Sequence, residues 1–468
     1  MRIAAPAAAL AALAALVASA LAVGAPAAAA QGQQRTTATP IKHFVFLMQA
    51  GHTFDNYFGT YPKADGLPAH ACQPVVVGQP RHGCVRPFAV RGALLPALVA
   101  SPAMIARQYD KGRMDGFVAA YHQQHLDGRS AMGYYDQAEL PFYWTVARDY
   151  VLFDHFFSSS LLGTRANMSY WVAAAPPPVG TGQALQVGYA RQPTIFDRLQ
   201  GAGVSWKFYV QGYGSRRSQV PTSTGSQAAR ATLLNYARFA RNRALSMHIV
   251  GLDQYYRDAA AGTLPAVAFI VSSASDNERS ARTILAGQNL VRNLVTQLML
   301  SRDWDSSAFM WTYDGSGGQY DHLTPPRAGS GMLGLRVPAL LVSAFARRGQ
   351  VNHAVLSDAS ALRFIEQNWH LAPLNRLDAS AASLNSAFDF SAAPRPADII
   401  APVRSSPATA QLHRKTVPVA LVYVLYGFAA GIALVFLAGL PAFADLRRRR
   451  AGRRGADRRT EDSGVPQA

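Results

Sequence analysis

Apolar residues fall in short, nearly continuous runs through the middle of the chain and in two long runs at its ends. Phe44–Met48 is such a short run, closed by the polar turn Gln49–Thr53, and reads as a buried strand. Val204–Val210, Ala266–Ser272, Ala308–Tyr313 and Ala339–Ser343 read as further strands. Between them, Ile284, Leu285, Leu290, Val291, Leu294, Val295, Leu298 and Met299 recur at helical spacing, which predicts a helix over Thr283–Ser301. Strands alternating with helices predict an α/β fold on a mostly parallel sheet. In open sheets of this kind ligands sit outside the carboxyl ends of the strands, so the turn after Met48 is a candidate site. No internal repeat is visible.

The terminal runs mean something else. Met1–Ala30 has one basic residue, Arg2, then an Ala/Leu/Val stretch ending in Ala28-Ala29-Ala30, the pattern of a secretory signal with an A-x-A cleavage site. An uncleaved anchor is the alternative, and either one exports the domain attached to it. Val417–Ala444 carries no charge and contains Val419–Leu440, long enough to cross about 30 Å of hydrocarbon. Arg447–Arg450, Arg453, Arg454, Arg458 and Arg459 follow it, against Arg414 and Lys415 before it. By the positive-inside rule the tail is cytoplasmic and the main domain lies outside, on a single-pass cell-membrane protein. The expected order is a signal peptide (1–30), an exported domain (31–379), an Ala/Ser/Pro-rich linker (380–416), a transmembrane helix (417–444) and a basic cytoplasmic tail (445–468).

Composition changes this picture little. With 468 residues, 49% of them hydrophobic and 15% charged, the chain can bury a large core, which argues against disorder as its default state. The net charge of +18 comes almost wholly from arginine, the basic tail included, and does not by itself call for a nucleic-acid partner. It gives weak support to attraction toward anionic lipid or wall polymers. The two cysteines, Cys72 and Cys84, read as a disulfide in an exported chain, with a zinc site built with His70 and His82 as the alternative.

Two segments carry candidate chemistry. Gly163-Thr164 stands between a strand-like stretch and a helix predicted over Arg165–Ala174, so Thr164 is either a helix cap or a hydroxyl facing an anion at a helix N-terminus. Asp314, Asp321 and His322 lie on a Gly-rich loop after a strand and supply oxygen and nitrogen donors suited to a metal; the same DGSGG also suits a plain turn.

Four long words in this order carry a resemblance: IKHFVFLMQAGHTFDNYFG (41–59), MGYYDQAELPFYWTVARDYVLFDHFFSSSLLGTRANMSYW (132–171), WDSSAFMWTYDGSGGQYDHLTPP (304–326) and LRVPALLVSAFARRGQVNH (335–353). Together with MDGF at Met114–Phe117 they resemble the bacterial phosphoesterase family of phospholipases C and acid phosphatases, related to the alkaline-phosphatase superfamily, from about Ile41 to Leu371. The resemblance implies a doubly wound α/β sheet with helices on both faces. It also implies phosphoester hydrolysis through a phosphorylated Ser or Thr, helped by a divalent metal ion. Thr164 matches the nucleophile, and Asn167 also matches, as a catalytic and substrate-binding residue. His322 is a third catalytic candidate and Asp314 and Asp321 are metal candidates. A phospholipid or other phosphate ester is the implied partner; nucleic acid is not.

The chain departs from the family pattern at several places. Where the family has Gln-Glu-Asn-Arg after the first strand, Ala50, Gly51 and His52 follow Gln49, which leaves His52 as the substrate-binding candidate there. Gly315 replaces a second acid, a Ser-Glu-His triplet corresponds to Ser275-Asp276-Asn277, and an Asp-His pair to Ser357-Asp358. Two function classes therefore stand: a membrane-anchored phosphoesterase using Thr164 and a metal, and a catalytically degraded domain that binds an anionic ligand or a protein partner without turnover.

Overall fold

The computed structural model describes residues 36–91, 98–178, 192–213, 231–279, 284–329 and 331–400. The signal-like segment, the basic tail and the apolar segment 417–444 lie outside the described residues. Among the described residues no helix is long and apolar enough to cross a membrane.

Eight strands form one sheet: β1 (His43–Gln49), β2 (Val151–Phe153), β3 (Trp206–Val210), β4 (Ile249–Gly251), β5 (Val267–Val271), β6 (Ser307–Tyr313), β7 (Ala339–Ser343) and β8 (Gln350–Asn352). Their order is β8-β2-β7-β6-β1-β5-β3-β4, and every pairing is parallel except the two made by β7. The strands expected from apolar runs are all present, with ends shifted by two residues at most. All seven residues of β1 are buried. This is the reason its sequence is continuously apolar rather than alternating: a central parallel strand is covered on both faces.

Helices α1 (Phe54–Phe58), α2 (Pro141–Asp149), α3 (Thr164–Ala173), α4 (Ile284–Met299) and α5 (Asp358–Asn368) matter most to the site. Helices α3 and α5 cover one face. Trp171 of α3 stacks on Phe269 of β5 with centroids 4.7 Å apart, and Phe364 of α5 meets Phe44 of β1 at 5.2 Å. Helix α2 covers the other face, where Tyr143 packs on Trp311 of β6 at 5.5 Å, and it is tied to α4 by Gln288, which accepts from the Phe142 N–H. Each such ring pair contributes about 1 kcal/mol beyond the area it buries.

Cys72 and Cys84 form a disulfide, and the exposed His70 and His82 belong to neither group of clustered metal donors among the described residues. The Ala/Ser/Pro-rich stretch expected to act as a linker from Ser380 is folded as far as Ile400. Leu384, Ala387 and Phe388 are buried, Phe388 stacks on Phe364 at 5.3 Å, and the Asp389 N–H donates to Phe345 O. Low periodicity hid this, because a few apolar anchors, one short 3-10 turn over Leu384–Ala387 and a single bridge from Phe388 to Ala346 suffice to hold the segment.

Candidate active site

The carboxyl ends of β6, β1 and β5 lie side by side at the centre of the sheet, and the site is built on them. Backbone bonds continue the pairing past the strands: the Asp314 N–H donates to Gln49 O and the Ala50 N–H to Asn277 O. The turn after β1 then passes close to the Gly-rich loop after β6. Gly51 has φ +70° and Gly317 φ +63°, and a Cβ on Gly317 would stand 2.0 Å from Gly51 O. This backbone contact explains glycine at both places.

Asp314, buried at the end of β6, accepts from the Gly51 N–H through Oδ1 at 3.1 Å. A guanidinium nitrogen of Arg279, from the loop after β5, lies 3.3 and 3.2 Å from its two oxygens. The same nitrogen donates to Thr164 Oγ1 at 2.7 Å. Thr164 is the first residue of α3, half-buried, with its helix N-terminus directed at the same place. Asn167, one turn on, is buried and donates through Nδ2 to Asp314 O at 2.9 Å and Ser160 O at 3.2 Å, while its Oδ1 has no hydrogen-bond partner. Thr164, Asn167 and Asp314 are thus brought together. Arg279 joins them as a half-exposed cation that sequence reasoning missed.

Asp358 opens α5 beside this group. Burial pushes its carboxyl up to about 7, against the hydrogen bond from Ser159, with the charge of Asp314 adding to the rise. Behind the site, Glu278 is fully buried and accepts from Tyr57, Tyr143, Tyr313 and Gln49. Burial lifts it to about 7 although all four donors pull it down. Glu278 therefore anchors both the end of β1 and the loop carrying Arg279. The residues from this loop that reach the site are Glu278 and Arg279, which directly follow the triplet matched at Ser275-Asp276-Asn277. Glu278 thus brings a carboxylate and Arg279 a guanidinium to this end of the sheet.

The remaining candidates lie elsewhere. His52 is buried, with Nδ1 on Asn56 Oδ1 and Nε2 on Glu278 O at 2.7 Å each, and its ring stacks on Tyr57 at 4.2 Å. Burial lowers its pKa to about 4, so it is a neutral packing group with no ring nitrogen turned to a substrate. Asp321 and His322 belong to a second cluster. The buried Arg336 guanidinium lies 3.1 and 3.2 Å from the Asp321 oxygens and 3.0 Å from Asp55 Oδ1, and His322 Nδ1 meets Asp55 Oδ2 at 2.7 Å. Burial raises Asp321 to about 6 in spite of Arg336.

A divalent ion, the expected cofactor, does not fit the donor set around Thr164. Ala50 and Gly51 offer no side-chain donor, and both Asp314 oxygens already face a guanidinium. Asp314 and Asp321, taken from sequence as a metal pair, stand in separate clusters. Two groups elsewhere among the described residues have donors close enough to hold a metal: Asp55, Asp321 and His322, and Asp154, His155 and His353.

A profile of the family described as "Phosphoesterase family" matches residues 41–372. Phospholipase C A of Mycobacterium tuberculosis is 26% identical over 414 residues, covering 76% of this chain and 78% of its own length. Hemolytic phospholipase C of Pseudomonas aeruginosa is 25% identical, covering 76% of this chain and 57% of its own. A protein in the alkaline phosphatase superfamily from Vibrio parahaemolyticus aligns at a TM-score of 0.35 and 9% identity over 72% of this chain and 70% of its own, a likeness too slight to bear on the site.

Proposed function

The chain belongs to the Phosphoesterase family, and on that premise we propose that it is an exported, membrane-anchored hydrolase of phosphate esters, with phospholipids as the substrate class and Thr164 as nucleophile. The family and the phospholipase C relatives support phosphate-ester hydrolysis as the reaction class. The observation that carries the finer reading is the convergence of Thr164 Oγ1, the α3 N-terminus and the Arg279 guanidinium on one position. A phosphoryl group placed there meets the positive end of the α3 helix dipole and the guanidinium of Arg279, itself paired with Asp314.

In this reading Thr164 Oγ1 bonds to phosphorus as the bond to the leaving alcohol breaks, and the hydroxyl proton ends on the departing oxygen. Water then attacks phosphorus, the bond from phosphorus to Thr164 Oγ1 breaks, and a proton of that water returns to Oγ1. A hydroxyl is a weak nucleophile unless its developing negative charge is stabilised, and the Arg279 contact meets that need. Asp314 holds Arg279, and Asn167 holds the Asp314 backbone. The segment 417–444 tethers the domain at a lipid surface, with the Arg-rich tail on the cytoplasmic side.

The second reading, anion binding without turnover, is favoured by Ala50 and Gly51, which bring no donors where the family has two. One comparison separates the readings. The full chain in detergent is tested for release of phosphorylated headgroup from phosphatidylcholine micelles, beside Thr164→Ala. A loss of at least a hundredfold in Thr164→Ala supports hydrolysis through Thr164; equal measurable rates remove Thr164 as the nucleophile, and no turnover by the unaltered chain supports the binding reading.

A further inference from the structure

At the edge of the sheet, far along the order from β1, strands β8 and β2 run parallel with Gln350 opposite Val151 and Asn352 opposite Phe153. One step further this register sets His353 opposite Asp154, and the Asp154 N–H donates to Asn352 O at 3.2 Å. His155 comes directly after it. The result is one fully buried carboxylate met by two imidazoles: His155 Nδ1 lies 2.9 Å from Asp154 Oδ1, and His353 Nδ1 lies 2.8 Å from Oδ2 and 3.0 Å from Oδ1. We propose that Asp154, His155 and His353 form a binding site for a divalent transition metal, Zn²⁺ first among them.

The geometry suits such an ion. The donor atoms lie within 4.8 Å of one another, and ligands about 2.0–2.2 Å from a tetrahedral zinc are spaced by about 3.4 Å. A small outward movement of the two rings admits the ion between their Nδ1 atoms and Asp154. Ligation through Nδ1 leaves the His155 Nε2–H directed at Asp65 Oδ2, 3.4 Å away, the carboxylate partner that a metal-bound imidazole ordinarily has. The Asp65 N–H meanwhile donates to Asp154 Oδ2 at 2.9 Å and fixes that carboxylate. His353 is 60% exposed, so an ion can enter from solvent and a water can complete the coordination.

The neighbouring group Asp55, Asp321 and His322 has similar donors and a different fate. The Arg336 guanidinium already neutralises both of its carboxylates, whereas the donors on Asp154 are imidazoles that can give up their protons. Two imidazoles and a carboxylate favour Zn²⁺ over Ca²⁺ or Mg²⁺. The ion would clamp β2 to β8 at the sheet edge, apart from the Thr164 position.

The test uses the full chain in detergent, free of any histidine tag, titrated with Zn²⁺ and separately with Co²⁺. The expected result is about one equivalent of Zn²⁺ bound, a raised melting temperature, and Co²⁺ absorption bands characteristic of imidazole ligation. His353→Ala and His155→Ala are expected to weaken Zn²⁺ binding at least tenfold and abolish the Co²⁺ bands, while Asp314→Ala keeps both. Undiminished Zn²⁺ binding in both histidine variants overturns the proposal, as does loss of the ion in Asp314→Ala alone or no binding to the unaltered chain. Because His353 is exposed, His353→Ala reports on the ion rather than on folding.

Discussion

Arg279 donates to the hydroxyl of Thr164 at 2.7 Å, from a loop that follows β5, to a residue that opens α3 on the face of the sheet. Nothing local in the chain links the two residues, which are 115 positions apart. They meet because a parallel sheet brings its carboxyl ends to one side and α3 points its first turn there.

Inorganic phosphate should therefore bind where Arg279 and α3 meet, whether or not Thr164 keeps its hydroxyl. At ten times its dissociation constant a ligand stabilises the folded state by about 1.4 kcal/mol. Phosphate is expected to raise the melting temperature of the unaltered chain and of Thr164→Ala, and to leave Arg279→Ala unmoved. Differential scanning fluorimetry at constant ionic strength reads this directly, and an equal shift in all three would remove Arg279 from the site.

Asp358 makes a pH-dependent contribution to stability. Its folded pKa of about 7 lies above the ordinary aspartate value, so the folded state holds the proton more tightly than the unfolded chain. The contribution is complete below the unfolded pKa and is lost as pH rises through 7. Asp358→Asn should match the unaltered chain near pH 4 and gain on it by roughly 2–4 kcal/mol near pH 8. Urea midpoints of both proteins across that range measure it; a gain at acid pH instead would reverse the assignment.

Arg336 is buried between Asp55 and Asp321, and removing it leaves two carboxylates without their main counter-charge. Arg336→Met should cost about 3–5 kcal/mol, the usual penalty for breaking a buried ion pair from one side. Chemical unfolding of the variant gives the number, and a loss under 1 kcal/mol would mean that His322 and water compensate.

Gly317→Ala should cost at least about 2 kcal/mol, from overpacking against Gly51 O and from a positive φ that alanine disfavours. The same crowding bears on restoring the family donors. A Cβ on Gly51 would stand 3.2 Å from the Gly317 Cα, so Gly51→Asn is expected to lower stability before it adds a ligand. Denaturant midpoints of the two variants rank these effects, with Gly317→Ala the more severe.

Five strands of the sheet were legible because they are largely buried on both faces and therefore written as nearly solid apolar runs, whereas β2, β4 and β8 are three residues each and left no such run. The placement of Thr164 and Asp314 at the carboxyl side of the sheet was legible for a related reason, since each directly follows or opens an element there. Arg279 was not, because an arginine in a polar loop looks the same whether it faces water or a buried aspartate. Asp321 and His322 were read as donors from their types alone. The residue that engages them, Arg336, stands in the word LRVP, where nothing in the spelling marks it as buried. His52 misled in the opposite sense, because burial and two hydrogen bonds turn an imidazole into a packing group.

The central claim is that a guanidinium, in the place of a metal ion, supplies the positive charge beside Thr164. Its most direct test is the rate of phosphatidylcholine hydrolysis by the full chain before and after exhaustive chelation, with Arg279→Ala alongside. The predicted result is a rate unchanged by chelation and lowered about thirtyfold or more in Arg279→Ala, the loss of a charge-assisted contact of about 2 kcal/mol. A rate abolished by chelation, restored by a divalent ion and indifferent to Arg279 would contradict it.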